Sequence, residues 1–366
     1  MGFTIDFYCD NNKDEGVVIK DGIVNISPPT LYLMKENVLV FITVWDNIQE
    51  HIKKQLIENG IKNITSVDFL FMQNFCNSLL EMKDEKLIKC FDFVLDDEKY
   101  LRIRFEAKMG YPLHLEKPLT YNEKLQWLKL HDRKEIYKKM VDKYEVKKYI
   151  NRFVSDEFII PTLGVWDEFD KIDFDTLPNK FVLKCTHDTG SVIICKDKKT
   201  FDKFKAKDVM ESALKRNLYW LGREWPYKDI QPRIIAEKYL EDKSDGELRD
   251  YKLFCFHGVV KAMLIATGRM VSDGREACTD FFDEKLKHID MRSGHPNSLI
   301  QPHLPDNYEI MKKIAEKLSS GIPHLRVDFY EVNGRVYIGE LTFYHQSGTV
   351  AIEPLAKDIE WGGGYI

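Results

Sequence analysis

The feature that most constrains the fold of this chain is a predicted β-hairpin near its carboxyl end. Residues 325–330 read Leu-Arg-Val-Asp-Phe-Tyr and residues 336–342 read Val-Tyr-Ile-Gly-Glu-Leu-Thr, so apolar and polar side chains largely alternate. Asn333 and Gly334 stand between the two runs, and Asn-Gly favours a tight type I′ turn. We therefore expect two antiparallel strands that belong to a larger sheet.

Charged side chains share a face within each strand of this hairpin. Side chains two positions apart in a strand point to the same side, so Arg326 and Asp328 share a face of the first strand. Glu340 and Thr342 share a face of the second. Carboxylates on paired strands suit one or two Mg²⁺ ions, which prefer oxygen ligands, and the arginine adds a fixed cation. The alternative is a solvated sheet face with a cross-strand ion pair.

A lysine interrupts another predicted strand. Residues 181–184 read Phe-Val-Leu-Lys, and a lysine on a buried strand costs free energy unless it meets an anion. We expect the polar turn that follows to fold over phosphates as a lid; its residues are Thr186, His187, Asp188, Thr189, Gly190 and Ser191. The alternative is that Lys184 extends its ammonium group from a strand edge into solvent.

Lys143 offers a second cation. It follows Asp142 at the start of a predicted helix, where backbone N–H groups and the helix dipole favour anions. The alternative is an ordinary exposed lysine at a helix start.

A further strand predicts a nucleotide hinge. Residues 233–240 are mainly apolar and run into Glu241 and Asp242. Such a strand can present backbone groups to an adenine and an acid to its ribose. The alternating run at 247–258 then carries another lysine, Lys252.

The overall charge excludes one class of partner. The 366 residues include 54 Lys and Arg and 59 Asp and Glu, so 54 − 59 gives a formal net charge of −5. This balance lacks the basic field that nucleic-acid binding needs. No apolar run approaches the roughly 20 residues of a transmembrane helix, and no signal-peptide pattern opens the chain. With seven scattered cysteines, we expect reduced thiols and a cytoplasmic protein.

The first 85 residues predict a partial Rossmann-like α/β module. An apolar run at 38–45 reads as a strand, a helix ends at Gly60, and a second strand follows at 61–67. Strand–helix–strand order is typical of a parallel α/β layer. No G-x-G-x-x-G opens the module, so we expect no pyrophosphate cradle there.

The rest of the chain divides into a connector and a main domain. Residues 86–119 are charged and poorly periodic, and they predict connecting helices. Thr120 and Glu123 form a capping-box pattern, which predicts a helix start. We take 120–366 as the main domain.

Six short motifs occur in one order along this main domain. They are Asp142-Lys143, Val182-Leu183-Lys184, Glu237-Lys238-Tyr239-Leu240, Asp250-Tyr251-Lys252, Arg326-Val327-Asp328 and Gly339-Glu340-Leu341-Thr342. This order resembles the ATP-grasp fold. More narrowly, the segments at 121–128, 184–188, 219–227 and 339–344 resemble the TupA-like ATP-grasp family, which is associated with teichuronopeptide and other cell-surface polysaccharide gene clusters. The resemblance covers about residues 112–366.

The resemblance implies an α+β chain, with an ATP-grasp fold in 120–366 and an N-terminal partial Rossmann-like segment, that uses ATP and Mg²⁺. It implies ATP-binding positions at Lys143, Lys184, Glu237, Lys238, Tyr239, Leu240 and Asp242. It implies catalytic positions at Arg326 and Lys252 and metal ligands at Asp328, Glu340 and Thr342. Thr342 departs from the pattern of many ATP-grasp enzymes, which carry Asn there, although a threonine hydroxyl can also bind a metal.

The implied reaction is ATP-dependent carboxylate–amine ligation in cell-surface polysaccharide or glycopeptide biosynthesis. ATP would phosphorylate a carboxylate on a small molecule or glycan, and an amine, an amino acid among the candidates, would displace the phosphate. Candidate substrate contacts are Arg223, Arg269 and Ser347. Two alternatives stay open: a glycosyltransferase of polysaccharide biosynthesis and a non-catalytic nucleotide-binding scaffold. The sequence does not predict an oligomeric state.

Overall fold

The computed structural model describes residues 7–8, 18–20, 23–25, 39–42, 54–61, 63–66, 96–242, 248–268 and 277–365. The chain divides into two compact units, residues 1–95 and 96–366. This division falls inside the predicted connector, and the domain bounds expected from the sequence stay predictions.

The N-terminal unit contains two small sheets. Their strands are β1 (Phe7–Tyr8), β2 (Val18–Lys20), β3 (Ile23–Asn25), β4 (Leu39–Ile42) and β5 (Asn63–Ser66). The first sheet has the order β1-β3-β2, and β4 pairs with β5 in parallel. A helix at 54–58 lies between β4 and β5 in the chain, and Gly60 follows it with a φ of +86°. The parallel pairing and the glycine cap predicted from the sequence are therefore both present.

The second unit begins with helices. They span Asp97–Met109, Tyr121–His131, Ile136–Val141 and Glu145–Ile150. The predicted capping box is confirmed, because the Thr120 hydroxyl accepts the backbone N–H of Glu123 at 3.1 Å and the Glu123 carboxylate accepts the backbone N–H of Thr120 at 3.0 Å. This cap fixes the start of the helix Tyr121–His131. Its buried residues Tyr121, Leu125 and Leu128 belong to the large hydrophobic core of the second unit.

A four-stranded antiparallel sheet follows. It is built from β6 (Thr162–Trp166), β7 (Phe181–Cys185), β8 (Val192–Cys195) and β9 (Ile234–Lys238) in the order β6-β9-β7-β8. Phe181 and Leu183 are fully buried in a core with Met210 of the helix Lys203–Leu214. Because side chains alternate along β7, Lys184 lies on the opposite face of this sheet.

A six-stranded antiparallel sheet forms the rest of the second unit. Its strands are β10 (Asp250–Phe256), β11 (Val259–Thr267), β12 (Cys278–Asp283), β13 (His288–Ile289), β15 (His324–Val332) and β16 (Arg335–Thr342), in the order β13-β12-β11-β10-β15-β16. Two short strands, β14 (Arg292–Ser293) and β17 (Ile352–Glu353), pair separately. The helix Tyr308–Ser319 covers one face of this sheet with Met311, Ala315 and Leu318. Its i, i+4, i+7 spacing forms one apolar stripe.

The predicted hairpin is β15–β16. Asn333 and Gly334 have φ values of +50° and +75°, as both central residues of a type I′ turn require. The register places Asp328 opposite Glu340, and a bulge at Gly339 follows, because Phe329 pairs with Ile338. A bulge re-aims neighbouring side chains. A Cβ at Gly339 would lie 3.0 Å from the Tyr330 ring, so a larger residue there would require that ring to shift.

The helices Leu218–Gly222 and Leu355–Tyr365 complete the described elements of the second unit. In the described ranges, none of the helices combines the length and the apolar character that crossing a bilayer requires.

Candidate active site

Asp328 is the centre of a group of charged residues on the six-stranded sheet, here called the carboxylate cluster: Asp250, Lys252, Arg326, Asp328, Glu340 and Thr342. The Asp328 carboxylate is almost completely buried and accepts hydrogen bonds from Arg326 Nε at 2.6 Å and Arg326 Nη2 at 2.8 Å. Lys252 Nζ lies 2.5 Å from its other side. Burial acts to raise the pKa of Asp328, but the two cations outweigh it and hold the pKa well below its ordinary value. Asp328 is therefore ionised at neutral pH.

Three oxygens of the carboxylate cluster converge on one point, which the Arg326 guanidinium occupies. Arg326 Nη2 lies 2.8 Å from Asp328 Oδ2, 3.1 Å from Glu340 Oε1 and 3.1 Å from Thr342 Oγ1. These are the three predicted metal ligands, so the structure brings them together. About half of the Glu340 side chain is exposed, which leaves the cluster open on that side.

The donor set fits Mg²⁺. Two carboxylates and a hydroxyl are hard oxygen ligands, and Mg²⁺ sites commonly use one or two carboxylates together with phosphates of the substrate. Within 96–242, 248–268 and 277–365, no three His, Cys, Asp or Glu side chains are grouped as an all-protein metal site. A cation held here would therefore take further ligands from a bound phosphate or from water.

Lys252 joins two aspartates. Its ammonium lies 2.6 Å from Asp250 Oδ2, besides its contact with Asp328. Burial raises the pKa of Asp250, although Lys252 opposes this rise. Asp250 was not predicted from the sequence, but its position two residues before Lys252 places both on one face of β10. That spacing was a readable signal.

A second group lies beside the four-stranded sheet and is here called the lysine cluster: Lys184 and Glu237 on its strands, Lys147 in the helix Glu145–Ile150, and Lys143 just before that helix. Glu237 Oε2 accepts Lys184 Nζ at 2.8 Å, and Glu237 Oε1 accepts Lys147 Nζ at 2.6 Å. Burial acts to raise the pKa of Glu237, but the two lysines outweigh it and lower the pKa. Glu237, predicted as part of the adenine hinge, is thus an ionised carboxylate held between two ammonium groups.

Lys143 is held differently from the sequence prediction. The helix begins at Glu145, because Asp142 Oδ1 accepts the backbone N–H groups of Tyr144 and Glu145 at 2.8 Å each. Lys143 therefore precedes the helix and does not occupy its first turn. Its ammonium donates to the carbonyl oxygens of Cys185, at 3.2 Å, and Asp188.

Lys143 and Glu340 link the two clusters electrostatically. Burial lowers the pKa of Lys143, while the carboxylates of Glu340 and Asp188 act to raise it. Glu340 belongs to the six-stranded sheet and Lys143 contacts the turn after β7, so the two clusters lie within electrostatic range of each other.

The turn predicted as a lid is fastened by side-chain contacts over most of its length. Thr186, His187, Asp188 and Ser191 are buried, and only Thr189 and Gly190 at the tip are exposed. Ser191 Oγ accepts the backbone N–H of Cys185 at 3.0 Å and donates to Asp188, which pairs with Arg216 at 3.1 Å. These contacts hold the turn on both sides of its exposed tip.

The predicted hinge borders a cavity of about 330 Å³. Its lining residues are Lys238, Tyr239, Leu240, Glu241, Val332, Asn333, Arg335 and Tyr337. Asp242 is partly exposed and does not line this cavity. Val332 lies four residues along β15 from Asp328, about 13 Å at the rise of a strand. A nucleoside triphosphate has a comparable length from base to γ-phosphate.

Arg223 lies away from an open substrate surface, which corrects its prediction as a substrate contact. Its side chain is fully buried, its Nε lies 3.2 Å from Asp97 Oδ1, and its guanidinium stacks 4.2 Å from the Tyr100 ring centroid. It fastens the helix Asp97–Met109 to the rest of the second unit. Arg269 lies outside the described residues.

Ser347 lies in the turn after β16. Its carbonyl and hydroxyl oxygens accept hydrogen bonds from Lys129 Nζ at 2.8 and 3.0 Å. Lys129 is completely buried, and neither it nor Lys147 was predicted from the sequence. Lys147 follows Lys143 by four residues, a spacing that could have indicated it, whereas Lys129 lies inside an ordinary amphipathic helix pattern and gave no signal.

Comparisons with known proteins place the chain in a family. The model of the TupA-like ATP-grasp family matches residues 123–365. The comparison with curated proteins gives no match. The D-alanine–D-alanine ligase from Bacillus anthracis in complex with ATP is 15% identical, with a TM-score of 0.35, over 61% of this chain and 60% of that one. The L-amino acid ligase from Bacillus licheniformis is 11% identical, with a TM-score of 0.38, over 69% of this chain and 55% of that one.

The chain spans about three fifths of the length of this Bacillus anthracis ligase and of the D-alanine–D-alanine ligase from Helicobacter pylori. The family match covers most of the second unit and includes the residues of both charge clusters. It confirms the resemblance inferred from the ordered motifs. The chain belongs to the TupA-like ATP-grasp family.

Proposed function

We propose that this protein is an ATP-dependent carboxylate–amine ligase of the ATP-grasp type. The observation that carries the proposal is the convergence of Asp328, Glu340 and Thr342 oxygens on one cation position. The lysine cluster supplies positive charge that is complementary to the negative charge of a polyphosphate. Membership of the family supports the same reading.

The lysine cluster would hold the phosphates of ATP. An ammonium group has three N–H donors, and among the described residues Lys184 uses one of them, on Glu237. Lys147 uses three, because it also donates to Ile160 O at 2.7 Å and Thr162 Oγ1 at 2.8 Å. Lys184 therefore has the greater capacity to bind an incoming phosphate.

The base would occupy the cavity beside the hinge. Lys238, Tyr239 and Leu240 border it, and Val332 and Tyr337 give it an apolar wall. Asp242 follows the hinge and stays the proposed ribose acid. This arrangement matches the general form of a ligand site, with apolar walls and a few placed polar groups.

The metal would be held by Asp328, Glu340 and Thr342. When bound, Mg²⁺ neutralises charge on the phosphate oxygens and polarises the transferring phosphoryl group. Arg326 and Lys252 supply fixed positive charge in the same cluster, so the chain itself stabilises negative charge that develops on the transferring group.

The proposed reaction has two steps. An oxygen of the substrate carboxylate attacks the γ-phosphorus of ATP, the bond from that phosphorus to the bridging oxygen breaks, and ADP leaves. The amine nitrogen then attacks the acyl carbon, phosphate leaves with the electron pair of the broken C–O bond, and the nitrogen loses a proton to give an amide. An acyl phosphate hydrolyses in water, so the exposed tip at Thr189 and Gly190 would exclude water by closing.

We propose cell-surface polysaccharide or glycopeptide assembly in the cytoplasm as the context, on the strength of the family association. The carboxylate is then a small molecule or a glycan unit, and an amino acid is the favoured amine. The two substrates are the part of the proposal that needs direct chemistry to identify.

A phosphate-release screen tests the proposal. Purified protein is mixed with ATP, Mg²⁺, and pairs of carboxylates and amines drawn from amino acids, uronic acids and their nucleotide conjugates. We expect ADP and phosphate only with Mg²⁺ and a matching acceptor, and an amide of the expected mass. Binding of ATP without turnover for any pair would favour the scaffold, and consumption of a nucleotide sugar in place of ATP would favour the glycosyltransferase.

A further inference from the structure

The Arg326 guanidinium has five N–H donors, and their partners can be assigned. Nε donates to Asp328 Oδ1, and Nη2 donates within the carboxylate cluster. Nη1 carries the remaining two hydrogens, and it lies 2.8 Å from Nδ1 of His345. In the described part of the chain, one Nη1 hydrogen is therefore left for a ligand.

The contact with Arg326 fixes the chemical state of His345. A guanidinium can only donate hydrogen bonds, so Nδ1 of the imidazole must accept. The ring is then neutral, with its proton on Nε2. Burial lowers the pKa of His345 well below its ordinary value, and the charges of Arg326 and Lys252 lower it further. His345 is a neutral acceptor for one arm of the arginine.

The surrounding residues hold the imidazole ring in place. The ring is buried and stands edge-on to Phe254, with centroids 5.0 Å apart. The next two residues, Gln346 and Ser347, have φ values of +47° and +56°. Two consecutive non-glycine residues in this region are strained and persist only when their surroundings fix them. Lys129 supplies part of that fixation through its two hydrogen bonds to Ser347.

Burial of the polar imidazole of His345 costs free energy, and packing alone does not explain why this buried residue is polar. Its Nε2 is buried and has no hydrogen-bond partner among the described residues. A buried unsatisfied donor costs about 1–3 kcal/mol, whereas a leucine or methionine would fill similar space without that cost. An imidazole is therefore favoured at this position if Nδ1 is needed as a hydrogen-bond acceptor. The donor that it accepts from is Arg326 Nη1.

We propose that His345 is a positioning residue for Arg326. By accepting one Nη1 hydrogen, it fixes the plane of the guanidinium and directs the other Nη1 hydrogen at the oxygen on which charge develops during phosphoryl transfer. This inference rests on the proposed function, since it assigns Arg326 to the transferring phosphoryl group. His345 itself does not touch the reacting atoms.

Three substitutions separate positioning from packing. His345→Asn places an amide oxygen near the position of Nδ1, His345→Gln moves its amide towards the position of Nε2, and His345→Leu removes all polarity. We expect His345→Asn to keep kcat within about threefold and the other two to lose about 10–100-fold, the usual cost of misplacing a reacting group by about 1 Å. The KM for ATP should stay unchanged in all three, because the lysine cluster holds the nucleotide.

Two kinetic outcomes would overturn the inference. If His345→Leu keeps full kcat, Arg326 needs no support from this ring. If His345→Asn falls as far as His345→Leu, and the thermal unfolding temperatures of both fall together, the role is structural.

Long-range ¹H–¹⁵N NMR of the histidine side chains gives a test that needs no turnover. In the wild-type protein at neutral pH, we expect His345 to carry its proton on Nε2, and we expect the Arg326→Lys variant to change the Nδ1 signal. A proton on Nδ1 would overturn the inference. If no acceptor supports turnover, the proposed ligase function fails, while this measurement still decides whether His345 accepts from Arg326.

Discussion

The lysine cluster and the carboxylate cluster contain similar residue types but have formal charges of opposite sign. The lysine cluster has three ammonium groups and one carboxylate, so 3 − 1 gives a formal charge of +2. The carboxylate cluster has two cations and three carboxylates, so 2 − 3 gives −1. Two clusters of opposite formal charge are suited to a polyanion, such as a polyphosphate, that binds together with a cation. The distribution of charge thus carries information that the net charge of −5 conceals.

The clusters also differ in what holds them. Every member of the carboxylate cluster lies on β10, β15 or β16, whose register places Lys252, Asp328 and Glu340 side by side. The lysine cluster combines two strands with Lys143, which precedes a helix, and Lys147 within that helix. We therefore expect substitutions in the carboxylate cluster to affect both folding and catalysis, and those in the lysine cluster to affect mainly nucleotide affinity.

The largest effect is expected from Asp328→Asn. The change leaves Arg326 and Lys252 without their shared buried anion, which should lower the free energy of unfolding by about 3 kcal/mol. It also removes a metal ligand, so turnover should fall by about 10³-fold. Denaturant unfolding and ADP release measure the two effects.

Glu331→Gln is the matched control for this acid. Glu331 lies on the same strand and is also buried, but it accepts the backbone N–H groups of Asp306 at 3.0 Å and Asn307 at 3.1 Å. It should lose stability without a specific loss of turnover. Equal losses of turnover in the two variants would refute the special role of Asp328.

A comparison of Lys184→Met with Lys147→Met sharpens the account of the lysine cluster. Among the described residues, the Lys184 ammonium donates one hydrogen bond, so it can donate others to a phosphate. The three N–H groups of Lys147 all donate to protein acceptors. Charge-assisted hydrogen bonds contribute about 1.5–3 kcal/mol, so Lys184→Met should weaken ATP binding about 10–100-fold and Lys147→Met about threefold. Calorimetry with ATP measures both affinities. The reverse order would show that Lys147 is the phosphate ligand.

Acid stability distinguishes the clusters by a different route. The pKa values of Asp328 and Glu237 are both lowered in the folded state, that of Asp328 by more. Each carboxylate then contributes stability above its unfolded pKa, and that stability is lost as pH falls through the folded value. The free energy of unfolding should therefore decrease as the pH is lowered. Asp328→Asn should reduce this pH dependence more than Glu237→Gln does. Unfolding curves at a series of pH values test this order, and a larger effect of Glu237→Gln would contradict it.

Thr342 is expected to affect the Mg²⁺ requirement alone. Its hydroxyl lies 3.3 Å from Glu340 Oε1 and shares the point occupied by Arg326. Thr342→Val keeps the shape and removes the oxygen, so about tenfold more Mg²⁺ should be needed for half-maximal turnover, in line with the loss of one hydrogen-bonding group. Thr342→Ser keeps the oxygen and should leave the requirement unchanged. An unaltered Mg²⁺ requirement in the valine variant would remove Thr342 from the ligand set.

Features carried by local chemistry were predictable from the sequence. The Asn333-Gly334 turn fixes the hairpin, and alternation puts Arg326 and Asp328 on one face of their strand. The capping box at Thr120 fixes a helix start. Each depends on residues close in sequence, so periodicity and turn chemistry suffice. The bulge at Gly339, which brings Glu340 opposite Asp328, was not predicted from the sequence.

Features carried by tertiary contacts were not predictable. Arg223 reads as a substrate arginine, yet it is enclosed through Asp97 and Tyr100, more than 100 residues away in the chain. The composition of the turn after β7 predicts a lid, but it does not indicate that Lys143 and Arg216 fasten this turn. No local pattern encodes such long-range partners, because they depend on how separate elements pack.

Calorimetric titration of ATP into the full chain, with and without Mg²⁺, tests the central claim most directly. If the two clusters form one site, ATP should bind in one-to-one stoichiometry and more tightly with Mg²⁺. Asp328→Asn should abolish the effect of Mg²⁺, while Lys184→Met should weaken binding under both conditions. Absence of ATP binding, or binding that neither Mg²⁺ nor these substitutions change, would contradict the account.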